Sequence, residues 1–138
     1  AAPQLGVGLR VFTYDCDDFS GHLVNPTFDV VGDEEQTGPE GCLSIPEIFG
    51  DVERPSRVTI RALNRDGERF ELEATELLAR CLQHEIDHLH GKLFIDYLSF
   101  LKRRSALAKW ESMRKEFPQN IRKLPPDEIA GRHGEEAL

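Results

Sequence analysis

The chain has 138 residues, a formal net charge of −8 and 39% apolar residues, which suits one compact domain. No stretch approaches the roughly 18 consecutive apolar residues of a membrane span, so we expect a soluble protein with no membrane contact. The negative charge argues against a generally basic nucleic-acid binder, although a local basic patch is compatible with it. Three cysteines do not form an even disulfide framework, so we expect a reducing compartment.

The chain opens at Ala1, and its single methionine is Met113. We interpret this start as truncated or processed, and we therefore expect residues 1–124 to form one N-terminally truncated domain. After Pro125 and Pro126 the chain is rich in glutamate and glycine, which predicts a flexible tail over residues 125–138.

Alternating apolar residues and turn residues predict several strands in the first half of the chain. We expect extended chain over residues 6–14, 21–31, 58–63 and 69–74. The acidic, glycine-bearing segment 32–39 predicts a loop. Asp66-Gly67 lies between the last two predicted strands and is typical of a hairpin turn.

Helical periodicity begins after Thr75, a plausible N-cap, and is stopped by Gly91. A second helix is predicted from about Ser99 to Phe117, before Pro118. Because strands come first and helices later, we expect an α+β fold with antiparallel or mixed sheets around the first helix, plus a C-terminal helix.

The first predicted helix carries the sequence His84-Glu85-Ile86-Asp87-His88. Residues four apart share one helix face, so both imidazoles can reach one metal ion, with the Glu85 carboxylate beside its open position. The alternative is two separately hydrogen-bonded histidines on a polar stripe. We favour the metal-binding helix because the rest of the helix is apolar and buried imidazoles need partners.

The third ligand decides the kind of site, because catalytic zinc sites usually have three protein ligands and a water. A metzincin protease would need a third histidine where this chain has Phe94. A zinc peptidase could use Glu111 as its third ligand. Cys42 is a further candidate, since it follows Gly41, at which the backbone can approach a ligand closely. A non-catalytic metal-binding remnant also stays open.

Three short motifs occur in a specific order: Ala1-Ala2-Pro3-Gln4-Leu5-Gly6, then Glu40-Gly41-Cys42-Leu43-Ser44-Ile45-Pro46, then Gln83-His84-Glu85-Ile86-Asp87-His88-Leu89. Together they resemble the peptide deformylase family, in particular bacterial-type members with a C-terminal helix. The resemblance implies that Cys42, His84 and His88 bind the metal. It implies Fe(II) as the usual ion, with zinc, nickel or cobalt able to take its place, because ligand softness alone cannot select among them.

The resemblance also implies the reaction, removal of the N-formyl group from formylmethionyl nascent peptides with release of formate. In this mechanism the ion lowers the pKa of a bound water and Glu85 accepts its proton. The side-chain amide of Gln4 and the backbone N–H of Leu43 are the expected donors to the oxyanion.

The resemblance further implies an apolar slot for the methionine side chain, lined partly from the metal-binding helix. The candidates are Gly41, Leu77, Arg80 through its methylene stem, and Cys81. Leu77 and Cys81 can equally be core residues. We also expect Glu40 to pair with Arg54 and brace the cysteine loop, or else to form a solvated surface pair.

Residues 102–123 hold eight Lys or Arg and two Glu, a net charge of +6. The resemblance implies that this basic helix docks on the ribosome through RNA phosphates; the alternative is a solvated helix face. We expect a cytoplasmic monomer, with an organelle as the alternative compartment.

Overall fold

The computed structural model of the chain describes residues 1–117. These residues contain six strands, two α-helices and three short 3-10 turns. The strands are β1 (Val11–Cys16), β2 (Phe19–Val30), β3 (Glu35–Gly41), β4 (Phe49–Pro55), β5 (Arg57–Leu63) and β6 (Arg69–Thr75); the helices are α1 (Glu76–Leu89) and α2 (Phe100–Met113); the 3-10 turns are Ala2–Leu5, Phe94–Tyr97 and Arg114–Glu116. The predicted α+β class is confirmed.

Four of the strands form an antiparallel sheet in the order β1-β2-β5-β6. The predicted hairpin between β5 and β6 is confirmed. Its turn is closed by the side chain of Asn64, which accepts hydrogen bonds from the N–H groups of Asp66 and Glu68, both at 2.9 Å. Gly67 has a φ of 79°, a conformation that glycine adopts without steric cost.

The remaining strands, β3 and β4, pair antiparallel from Glu35 opposite Pro55 to Gly41 opposite Phe49. The predicted loop over residues 32–39 is therefore wrong from Glu35 onward. Acidic residues and Pro39 gave this segment the composition of a loop, but both strands of a two-stranded ribbon are edges, and an edge tolerates proline.

The first strand begins at Val11, so the strand predicted over residues 6–14 is wrong at its start. The chain before it forms the Ala2–Leu5 turn, which ends at Gly6 in the left-handed conformation, with a φ of 77°. Strand β1 continues to Cys16, and a two-residue turn then leads into β2.

The main core lies between the four-stranded sheet and one side of α1. Its buried members are Phe12, Cys16, Leu23, Val58, Ile60, Ala62, Ala74, Leu78, Ala79, Cys81, Leu82 and Ile86. The opposite side of α1 is also buried but polar, and it faces the β3–β4 ribbon. It carries Arg80, Gln83, His84, Asp87 and His88. Helix α1 is thus central, as the sequence predicted, and its polar side forms the candidate site.

A second apolar cluster connects the β3–β4 ribbon to α2, whose residues Ala106, Trp110 and Met113 pack against it. Helix α2 begins after Ser99, whose side chain accepts the N–H of Lys102. It ends at Met113, a turn before the predicted end. The predicted tail at 125–138 lies outside the described residues, and within residues 1–117 no helix is long and apolar enough to cross a membrane.

We expect Leu82→Ala to lower the free energy of unfolding by about 2–5 kcal/mol, because Leu82 is fully buried and its truncation leaves a cavity beneath α1. Leu101→Ala is the matched control: it makes the same change in a helix, but Leu101 is 73% exposed, so the expected loss is within about 0.5 kcal/mol. Urea unfolding of both variants measures the difference. Equal losses would show that the sheet–α1 interface is not the main core.

Candidate metal centre

Helix α1 and the end of β3 bring three metal-binding side chains together. His84 and His88 lie one helical turn apart on the buried polar side of α1, with ring centroids separated by 4.7 Å. Cys42 directly follows β3. One ligand atom from each of the three residues lies within 4.8 Å of the others, and all three residues are buried.

These residues fit a divalent metal ion. Cys42 Sγ lies 3.5 Å from His88 Nε2. Among the buried side-chain nitrogen and oxygen atoms of residues 1–117, His84 Nε2 lacks a hydrogen-bond partner. Burying such a polar atom costs free energy unless the atom binds a ligand. One thiolate and two imidazoles suit zinc or another divalent transition metal, with a fourth position left for water or substrate.

Both imidazoles are oriented by acceptors on their other nitrogen. His84 Nδ1 lies 2.8 Å from Glu40 Oε1, and His88 Nδ1 lies 3.1 Å from the backbone oxygen of Lys92. A carboxylate or carbonyl at Nδ1 holds the proton there and leaves Nε2 as the metal-binding nitrogen.

The predicted Glu40–Arg54 pair is confirmed, and it is buried rather than solvated. Arg54 donates from Nε to Glu40 Oε2 at 2.6 Å and from Nη2 to Glu40 Oε1 at 2.8 Å. Its third donor, Nη1, contacts Asp87 Oδ2 at 2.9 Å, and that oxygen also accepts the Tyr97 hydroxyl at 2.8 Å. Burial alone would raise the pKa of Glu40, but Arg54 and His84 lower it to about 2. Asp87 and Tyr97 were not predicted as part of this cluster, since no spacing rule connects them to Arg54.

The environment of Cys42 favours its ionised form. Burial opposes ionisation, but the imidazoles of His84 and His88, together with Ser44, outweigh it and lower the thiol pKa to about 5. Burial likewise opposes the charged form of His84, while Cys42 and Glu40 raise its pKa to about 9. Because a metal ion binds the thiolate and the neutral imidazole, its binding to this set is coupled to the release of protons.

Gln4 lies beside Cys42, and Glu85 contacts the N-terminal turn that carries Gln4. Gln4 Nε2 is 3.5 Å from Cys42 Sγ and 3.0 Å from Ser44 Oγ. Glu85 follows His84, and its Oε2 lies 3.4 Å from the nitrogen of Ala1, in the same turn as Gln4. A cavity of about 700 Å³ opens next to this point, and Gln4 and Leu43 line it. The structure thus brings the predicted oxyanion donor Gln4 to Cys42, and the predicted proton carrier Glu85 to the turn that holds Gln4.

The predicted slot residues occupy different environments. Leu77 is 41% exposed, whereas Cys81 belongs to the main core. The guanidinium of Arg80 points toward Glu40. Gly41 is covered by Phe49, because a Cβ at Gly41 would lie 2.7 Å from the ring. Their roles in substrate binding stay predictions.

Glu111, the alternative third ligand, does not lie with the histidines. It is on the exposed surface of α2 and forms an ion pair with Arg114 at 3.3 Å. The group of metal-binding residues within the described part of the chain is completed by Cys42 instead.

We expect one thiolate to titrate with a midpoint near pH 5 in the metal-free chain, because Cys42 alone has a lowered thiol pKa while those of Cys16 and Cys81 are raised by burial. The ultraviolet absorbance of the thiolate, followed as a function of pH, measures this midpoint. Cys42→Ser should remove the transition, and Cys16→Ser should leave it unchanged. A first midpoint near the ordinary thiol pKa would contradict the assignment.

The amino-acid sequence of the chain is similar to those of one known protein family. The family model for polypeptide deformylase matches residues 1–104. The peptide deformylase of Bartonella henselae is 50% identical over 121 residues, which cover 84% of this chain and 69% of the relative. That of Acidothermus cellulolyticus is 51% identical over 107 residues, covering 78% of this chain and 59% of the relative. The chain thus spans roughly 59–69% of these two relatives.

The fold is similar to solved structures of the same family. The crystal structure of a peptide deformylase from Legionella pneumophila matches with a TM-score of 0.78 and 43% identity, covering 88% of this chain and 73% of that one. The chain therefore belongs to the peptide deformylase family, whose members are metal-dependent hydrolases that remove the N-formyl group from nascent peptides.

Proposed function

We propose that this chain itself catalyses the reaction of its family, using Cys42, His84 and His88 to hold the ion. The convergence of these three side chains, with the Nε2 atom of His84 buried and unpartnered within residues 1–117, is the observation that supports this proposal most strongly. A divalent ion bound by these residues supplies a Lewis acid and lowers the pKa of a water ligand.

Glu85 is the proton carrier in this proposal. Its side chain is 15% exposed, and its Oε2 lies 3.4 Å from the nitrogen of Ala1, in the turn that carries Gln4, which supports this role. The carboxylate takes a proton from the attacking water as the new C–O bond forms at the formyl carbon. It then gives the proton to the departing amine as the C–N bond breaks, which releases formate and a free N-terminus.

Gln4 and Leu43 stabilise the negative charge that develops on the formyl oxygen. The Gln4 amide is held by Ser44 and lies next to Cys42, and the Leu43 backbone N–H adjoins the same residue. Fixed donors on two sides of an oxyanion favour the transition state over the planar amide. Methionine specificity is assigned to Gly41, Leu77, Cys81 and the methylene stem of Arg80.

We propose Fe(II) as the native ion, with zinc, nickel or cobalt able to occupy the same ligands. The mixed thiolate and imidazole set supports any of these ions and disfavours magnesium or calcium, which prefer oxygen ligands. A cytoplasmic location is supported by the three free cysteines, because the Cys42 thiolate beside Fe(II) is sensitive to oxidation. The monomeric state of the protein stays a prediction.

We expect Glu85→Gln to keep the ion and to release formate from formyl-Met-Ala-Ser about 10²–10⁴-fold more slowly, because the variant cannot carry the proton. The assay is run without oxygen, with the bound metal measured in parallel. Glu111→Gln is the control, and it should change neither quantity. Loss of the ion in Glu111→Gln would instead support the zinc peptidase. If the unaltered chain binds metal but releases no formate, it is the non-catalytic metal-binding remnant.

A contact with ribosomal RNA is the second part of the proposal. Lys102 and Arg104 are exposed on α2, whereas Arg103 between them pairs with Asp96 at 3.2 Å. Basic side chains on one exposed helix suit the phosphates of RNA, whereas the whole chain carries a net negative charge. The basic residues of segment 118–123 lie outside the described residues.

We expect the double variant Lys102→Glu, Arg104→Glu to bind ribosomes at least about tenfold more weakly at low salt, because it replaces two exposed positive charges of α2 with negative ones. Sedimentation of the chain with purified ribosomes measures this binding. The matched control is Arg65→Glu, Arg69→Glu, which reverses two exposed charges at the β5–β6 hairpin. Equal binding by the two double variants would contradict the assignment to α2.

A further inference from the structure

The guanidinium of Arg80 is buried, and within residues 1–117 it contacts the carboxylate of Glu40 rather than any of the three metal-binding side chains. The residue is 4% exposed. Its Nη1 contacts Glu40 Oε2 at 2.6 Å, the Val52 oxygen at 2.9 Å and the Gly38 oxygen at 3.3 Å, and its Nη2 contacts the Gln36 oxygen at 3.1 Å. A buried guanidinium is costly unless its donors are paired, so these contacts fix its position against the β3–β4 ribbon.

The carboxylate of Glu40 is fully used by this arrangement. Oε1 accepts from Arg54 Nη2 and His84 Nδ1, each at 2.8 Å. Oε2 accepts from Arg54 Nε and Arg80 Nη1, each at 2.6 Å. Each oxygen therefore has two donors, and the carboxylate has a single orientation that satisfies all four hydrogen bonds.

Arg54 and Arg80 hold Glu40 in different ways. Arg54 is shared with a second carboxylate, that of Asp87, at 2.9 Å. The only acid that Arg80 contacts among residues 1–117 is Glu40. Two guanidiniums and two carboxylates balance in charge, and without Arg80 this buried cluster would carry one uncompensated negative charge.

We propose that Arg80 is a positioning residue of the metal centre, which fixes the Glu40 carboxylate against His84 Nδ1 so that His84 Nε2 faces the ion. The inference rests on the proposed use of His84 as a metal ligand. It gives Arg80 a role distinct from lining the methionine slot, because the guanidinium acts on Glu40 and not on the substrate.

Arg80→Met tests this role, since it keeps an apolar stem and removes the guanidinium. We expect the affinity for Zn²⁺, measured by competition with a chromophoric chelator, to fall about 10- to 100-fold, the range typical of residues that orient a metal ligand. Arg80→Lys should recover part of the loss, because it restores the charge but not the planar fork. Arg57→Met is the control: it breaks an exposed ion pair with Glu73, and the affinity should not change.

A double-mutant cycle separates positioning from general stability. If Arg80 acts through Glu40, Arg80→Met should change Zn²⁺ affinity less than about twofold in a Glu40→Gln background. Thermal unfolding of the metal-free variants identifies folded protein. The proposal would be overturned if the effects of Arg80→Met and Glu40→Gln on Zn²⁺ affinity were fully additive, or if either variant alone left the affinity unchanged. Failure of both Arg80 variants to fold would also overturn it, because the role of Arg80 would then be structural.

The same variants distinguish this proposal from the proposed function. A role of Arg80 in the slot alone would raise KM for formyl-Met-Ala-Ser and leave Zn²⁺ affinity unchanged, which overturns the positioning role. If the unaltered chain binds Zn²⁺ stoichiometrically but releases no formate, the catalytic assignment fails, whereas the affinity measurements on Arg80→Met still decide the positioning role.

Discussion

The Glu40 carboxylate joins three parts of the fold at one buried point. It lies at the end of β3, receives Arg54 from β4, and accepts both Arg80 and His84 from α1. Charges in such a place stabilise a protein only when every partner is present, and removal of one partner typically costs about 3–5 kcal/mol. The position of the metal-binding helix relative to the β3–β4 ribbon therefore depends on this carboxylate.

The same contact explains how a thiolate and two imidazoles come to face one another. Cys42 is only two residues beyond Glu40, so fixing Glu40 against α1 also sets where the cysteine enters the site. Helix geometry places His88 one turn after His84. Because Glu40 and the Lys92 carbonyl hold the two Nδ1 atoms, both Nε2 atoms are left for a common ligand. Fold and site chemistry are thus parts of one hydrogen-bonded arrangement.

Much of this could be predicted from the sequence where local rules apply. The helical period after Thr75 and the four-residue spacing of the histidines predicted α1 and its metal-binding side, and Asp66-Gly67 predicted the hairpin. The β3–β4 ribbon was missed because β3 pairs with a strand that lies beyond a loop, and because the composition of β3 is that of a turn. From the sequence, Arg80 was predicted only to line the methionine slot. Its hydrogen bond to Glu40 joins residues 40 positions apart, and such a contact leaves no periodic pattern in the sequence.

We infer that one cysteine and two histidines of this chain share a single metal ion. X-ray absorption spectroscopy of the chain loaded with one equivalent of Zn²⁺ tests it most directly. We expect one sulfur neighbour at about 2.3 Å and imidazole nitrogen neighbours at about 2.0–2.1 Å, with the sulfur lost in Cys42→Ala. A zinc ion surrounded by nitrogen and oxygen alone in the unaltered chain would contradict it.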